Sequence, residues 1–167
     1  MTMSNLDDLY REIILDHYRT PRNRGELASP PAVRVEGFNP LCGDELVLYL
    51  VVEDGVVTNI KMTGHGCSIS QASSSLMSVA VKGKSLPEVE TVMERFKELM
   101  TLKERSLDEN GEEAPLDLRS LGEIAALAGV VKFPVRIKCA TLAWKTLAEA
   151  VAEAVAVAEA VAEAEAN

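Results

Sequence analysis

Apolar positions at Leu6, Leu9, Tyr10, Ile13 and Ile14, with His17 on the same stripe, recur at spacings of three and four. They predict a helix over 6–19. Pro21 ends it, and RNRGELASPP (22–31) reads as loop. Val33 and Val35 then alternate with Arg34 and Glu36, which predicts a strand. ELVLYLVVE (45–53) is a second strand, apolar on both faces, and Asp54-Gly55 is a hairpin signal. VVTNIKMT (56–63) returns with Ile60 and Met62 on one face and Asn59 and Lys61 on the other. Together these predict a three-stranded antiparallel meander. After the turn GHGC (64–67), Ile69, Ala72, Leu76, Met77 and Ala80 mark a helix closed by Gly83. Ser73, Ser74 and Ser75 keep that helix slim enough for close approach.

Ser85 and Glu88 form a capping box ahead of Val89, Val92, Met93, Phe96, Leu99 and Met100. Residues 103–116, charged and carrying Asn-Gly and Pro, read as an exposed loop. Ser120 with Glu123 caps a short helix expected to end at Gly129. Pro134 opens the last helix, which carries Cys139, Leu142, Ala143, Trp144, Leu147 and Val151. It continues into an Ala/Glu/Val tract whose C-terminal glutamates oppose the helix dipole, so fraying is expected there. Strands early and helices late make the fold class α+β.

The 167 residues fit one domain with its own core. A net charge of −9, without any Lys/Arg-rich block, argues against a nucleic-acid partner. The polar start MTMSNLDDLYREI has no apolar core of a secretion signal. The Ala/Val tract is cut by Glu149, Glu153, Glu159, Glu163 and Glu165. No membrane partner is therefore expected, and a cytoplasmic location is.

Three cysteines remain: Cys42, Cys67 and Cys139. An odd number without a secretion signal argues against a disulfide framework. Each stands at the end of a predicted element, where helix N-termini and Gly-containing turns favour thiolate chemistry. Asp44 adds a hard carboxylate two residues from Cys42. Three thiolates and one carboxylate complete a tetrahedral zinc site; the same set can hold iron in a cluster. Spacings of 25 and 72 residues (42 to 67, 67 to 139) bring them together only through the fold. On residues alone, a shared site and three separate buried cysteines both stay open. A zinc hydrolase or deaminase is disfavoured, because no Glu stands at an HxE or HExxH spacing. His17 is expected to finish the first helix and pack on it, and His65 to be a neighbour of the thiols rather than a ligand.

LDHYRTPRNRG (15–25), NPLCGD (39–44), GHGCSISQASSS (64–75) and PVRIKCATLAW (134–144) resemble the four ordered motifs of the iron–sulfur cluster assembly scaffold family, the IscU and NifU N-terminal type. The resemblance implies an IscU/SufU-like domain over 1–147, with a three-stranded sheet, packed helices and the metal site at one end. Residues 148–167 form a helical C-terminal extension. It also implies Cys42, Asp44, Cys67 and Cys139 as metal ligands, with the three cysteines holding a cluster if one is assembled. Two departures, Lys138 where the scaffolds carry His and added length around 103–116, are similar to the SufU branch. That branch implies bound zinc and a sulfurtransferase role. Cys42 then takes persulfide sulfur from a pyridoxal-phosphate cysteine desulfurase of the SufS kind, which displaces it from zinc, and Arg136 assists transfer. Downstream iron–sulfur assembly or acceptor proteins are the further partners implied. The alternative is a scaffold for a transient [2Fe–2S] cluster handed to apo-proteins.

Overall fold

The computed structural model describes residues 3–101 and 118–166. Helix α1 spans Met3–Arg19. Strands β1 (Val33–Asn39), β2 (Asp44–Glu53) and β3 (Val56–His65) follow. Helices α2 (Ser68–Val81) and α3 (Leu86–Met100) come next. A run of 3₁₀ turns (Leu118–Lys132) leads into the last helix, α4 (Pro134–Ala166). The expected loop 103–116 lies outside the described residues, as does the Ser120 side chain.

The sheet is the expected antiparallel meander, in the order β1-β2-β3. Its central strand explains the doubly apolar reading of 45–53. Leu46, Leu48 and Leu50 point into the core, and Tyr49 is buried on the other face. Asp54 and Gly55 both take positive φ (51° and 73°), the backbone a two-residue hairpin of this twist requires. β1 runs three residues past the expected alternation, because Gly37 keeps its pairing with Leu46 and Asn39 closes on Asp44.

The helices cover the sheet through α4, which lies on β1 and β2. α2 packs close against α4, as its small residues predict. The Ser73 hydroxyl donates to the Ala140 carbonyl at 2.7 Å, and the Trp144 indole N–H donates to Ser73 Oγ at 3.1 Å. Trp144 then stacks on Phe96 of α3, with centroids 4.3 Å apart and planes 8° from parallel. The capping box forms as read: Ser85 Oγ accepts from the Glu88 N–H and bonds the Glu88 carboxylate.

Two expectations are corrected. The segment expected as a short helix from Ser120 to Gly129 consists of 3₁₀ turns reaching Lys132. Gly122, at φ 59° and ψ −135°, breaks it where a continuous α-helix was expected. The C-terminal tract stays helical to Ala166 instead of fraying, with no break at residue 148. Alanine at every second position supplies the propensity, and Ala150 and Ala154 still rest on the body.

His17 ends α1 fully buried. Its Nδ1 lies 2.7 Å from Ser75 Oγ, and its Nε2 lies 3.0 Å from a Glu123 carboxylate oxygen. It therefore joins α1 to α2 and to the 3₁₀ run, and plays no part among the thiols.

Candidate metal centre

The chain reverses between β1 and β2 through Pro40-Leu41-Cys42-Gly43. The Gly43 N–H bonds the Asn39 carbonyl at 2.8 Å, and the Leu41 N–H bonds the Asn39 side-chain oxygen at 3.1 Å. This puts Cys42 on an exposed loop tip and Asp44, the first residue of β2, in a buried position. Cys67 is the N-cap of α2, its sulfur 3.5 Å from the Ser70 N–H. Cys139 lies one and a half turns into α4 and is buried at 1 % exposure.

The fold brings these residues together. Cys42 Sγ and Cys139 Sγ are 3.3 Å apart. Ligand atoms of Cys42, Asp44 and Cys139 all lie within 4.8 Å of one another. Cys67 falls outside that group of three but adjoins it. Its N–H donates to one oxygen of Asp44 at 3.0 Å, and its sulfur is 3.9 Å from the other. Four ligands around tetrahedral zinc at sulfur distances of about 2.3 Å stand roughly 3.8 Å from each other. The donor set and its spacing therefore fit zinc, with Asp44 as the link between Cys67 and the other two thiols.

The electrostatics have one sign. Burial foremost, then hydrogen bonding to Cys42 and Cys67 and the charges of Cys67 and Asp44, push the Cys139 thiol well above the ordinary cysteine range. Such crowding of acidic groups favours a cation. Arg136, at the start of α4, supplies one from the protein. The charge of Cys67 foremost, with hydrogen bonds to Cys67 and Cys139, raises the Arg136 guanidinium above its usual value. Lys138 is exposed on the same turn of helix. His65 also faces outward, its Nε2 3.7 Å from a Glu45 carboxylate oxygen.

Gly66, read from the sequence as a glycine that allows a turn and close approach beside Cys67, is held to that role by Asp44. A Cβ there would stand 2.6 Å from Asp44 Oδ1 and 2.9 Å from its Cγ. Gly66→Ala is therefore expected to push Asp44 off the Cys67 N–H. The lost bond at a buried carboxylate should cost about 1–3 kcal/mol, read as a lower urea midpoint with unchanged slope.

The NifU-like N-terminal domain model matches residues 9–140, a span that takes in all four of these residues. The chain belongs to that family. Its relatives agree with the expected SufU and IscU type. The zinc-dependent sulfurtransferase SufU of Bacillus subtilis is 44% identical over 149 residues, covering 89% of this chain and 93% of the relative. The iron–sulfur cluster assembly scaffold protein IscU of Streptococcus pyogenes is 40% identical over 151 residues, covering 90% and 87%. The solved structure of a SUF-system scaffold protein from Fervidobacterium islandicum superposes with a TM-score of 0.69 at 34% identity, covering 81% of this chain and 91% of that one. The chain is thus a NifU-like domain of the iron–sulfur cluster assembly type. Among the described residues, no helix is long and apolar enough to cross a membrane.

Proposed function

We propose that this NifU-like domain is a zinc-bound sulfur acceptor in iron–sulfur cluster assembly, with Cys42 as the acceptor and Cys42, Asp44, Cys67 and Cys139 as the metal ligands. One observation carries the reading. Of the two sulfurs that touch, Cys139 is buried in a helix and Cys42 stands exposed on a loop. Cys42 can meet an incoming persulfide while its partners stay in place. The name of the B. subtilis relative supports both zinc and sulfur transfer.

The step balances simply. The Cys42 thiolate attacks the terminal sulfur of a donor Cys–S–SH. The donor S–S bond breaks, its electron pair leaving on the donor cysteine as thiolate. A new S–S bond forms on Cys42, and the proton stays on the transferred sulfur. Bound zinc would keep the thiols deprotonated and, having no redox chemistry, would leave the persulfide unreduced. Arg136, beside Cys67 and Cys139, holds positive charge where anionic sulfur gathers. Three thiolates and a carboxylate against one zinc leave a formal charge of −2, which Arg136 offsets locally.

The donor is a protein, a pyridoxal-phosphate cysteine desulfurase. Phe38 and Leu41 beside the Cys42 loop, with Phe133 and Val135 at the start of α4, are 59–68 % exposed. Large apolar side chains around a polar centre are what a protein partner covers. Iron–sulfur assembly or acceptor proteins would take the sulfur onward. The domain 1–147 carries the whole proposed site, and the extension 148–167 lies beyond it, helical as far as Ala166.

Elemental analysis, before and after mixing with a cysteine desulfurase and cysteine, tests the reading. About one zinc per chain, retained while desulfurase turnover rises, is expected. Little zinc, with iron and sulfide accumulating together, would replace it with a scaffold on which a [2Fe–2S] cluster is built as cargo by the same thiols.

A further inference from the structure

Asn39 is buried at 7 % exposure, at the foot of the loop that carries Cys42. Its side chain makes two bonds of different kinds. The Oδ1 oxygen accepts from the Leu41 N–H at 3.1 Å. The Nδ2 nitrogen donates to Cys42 Sγ at 2.9 Å. The two cannot be exchanged by turning the amide over. A backbone N–H needs an oxygen, so the nitrogen is left facing the sulfur. The Asn39 carbonyl also accepts the Gly43 N–H, and its backbone pairs across the hairpin with Asp44. One residue thus shapes the loop, aligns the neighbouring carboxylate and holds the exposed sulfur.

A turn-forming role accounts for the oxygen and leaves the nitrogen unexplained. The nitrogen bonds the one sulfur that is both exposed and free of a helix. From this geometry we infer that Asn39 is a positioning residue for sulfur transfer: its amide holds Cys42 Sγ at the loop tip, giving that sulfur a protein partner when it is not a ligand. The inference rests on the sulfur-acceptor reading. The same N–H is placed to bond Cys42 Sγ once a second sulfur is attached to it. Among the described residues, Asn39 is the side-chain nitrogen donor to Cys42 that the structure shows.

Asn39→Asp separates the two bonds. It keeps an oxygen for the Leu41 N–H and removes the donor to sulfur. Sulfur transfer from a cysteine desulfurase in a single turnover should slow roughly 10-fold, the scale of a lost hydrogen bond to a charged group. Zinc content as purified should stay near one per chain, since all four proposed ligands remain, while retention against a chelator falls by no more than the roughly 10–100-fold typical of changes around a metal's ligands. Asn39→Ser, neutral and still able to accept from Leu41, should show the same split. A readout independent of transfer is the NMR signal of the Asn39 side-chain amide in the metal-free protein. It should shift in Cys42→Ala and stay unchanged in Cys67→Ala. Transfer at the wild-type rate in both Asn39 variants, or an amide signal indifferent to Cys42→Ala, overturns the proposal. Equal loss of zinc and fold in both variants also overturns it, leaving Asn39 a purely structural turn residue. Failure of the wild-type protein itself to take up sulfur would instead remove the acceptor reading, and the amide signal would still report whether the bond exists.

Discussion

Cys42→Ala should take up no sulfur above background from a cysteine desulfurase, while its fold survives. The expectation follows from where Cys42 stands. It is exposed on a loop whose shape is set by Asn39 through bonds that do not involve the thiol. Removing the sulfur opens no core cavity, so stability should stay within about 0.5 kcal/mol of wild type. On the proposed reading, what is lost is the nucleophile. Cys139 cannot replace it, being buried at 1 % exposure in α4, and Cys67 is tied to the first turn of α2. Labelled sulfur supplied as cysteine, followed onto the protein in a single turnover, makes the measurement. Label on Cys42→Ala equal to that on wild type would end the assignment of Cys42 as acceptor.

Asp44→Ala should lose metal more readily than any surface variant. Asp44 is the group that links Cys67 to the pair Cys42 and Cys139. Its loss would remove a proposed ligand and also strand the Cys67 N–H. Retention against a chelator should fall by at least about 100-fold, beyond the 10–100-fold typical of changes around a metal's ligands. Asp44→Asn separates the two effects. It preserves an oxygen for the Cys67 N–H but withdraws the charge. A zinc loss in Asp44→Asn close to that of Asp44→Ala assigns the effect to ligation. Undiminished retention in both variants would show that Asp44 is not a ligand.

The fold was most legible where its determinants are local. Alternation at Val33 and Val35, positive φ at Asp54-Gly55, the Ser85–Glu88 cap and Pro134 at a helix start each act within a few residues, and each formed as read. The end of β1 was hidden because Gly37 reads as a breaker in isolation, yet its pairing with Leu46 is made by another strand. The 3₁₀ run was missed because the capping pattern at Ser120 and Glu123 looks helical, and Gly122 breaks it from within. Sequence motifs brought the candidate ligands to notice, but not their contacts. Cys42 meets Cys139 across 97 residues because α4 lies on β1 and β2. The contact of Asn39 with Cys42 left no mark in the sequence, since an asparagine before a proline is explained by turn formation alone. Gly66 likewise looked like turn chemistry, while its constraint comes from a carboxylate 22 residues away in sequence.

The helix α4 holds Cys139 near one end and runs unbroken through 33 residues to Ala166. A rod of that length is about 50 Å, and some 40 Å of it lies beyond Cys139. Val157 and Val161 are half exposed on this distal part, well away from the thiols. The far end of the rod is therefore a handle that can be tethered or labelled without touching the four candidate ligands. The same rod is a ready-made ruler: a dye fixed near Ala166 would report by energy transfer how the proposed desulfurase partner is oriented over Cys42.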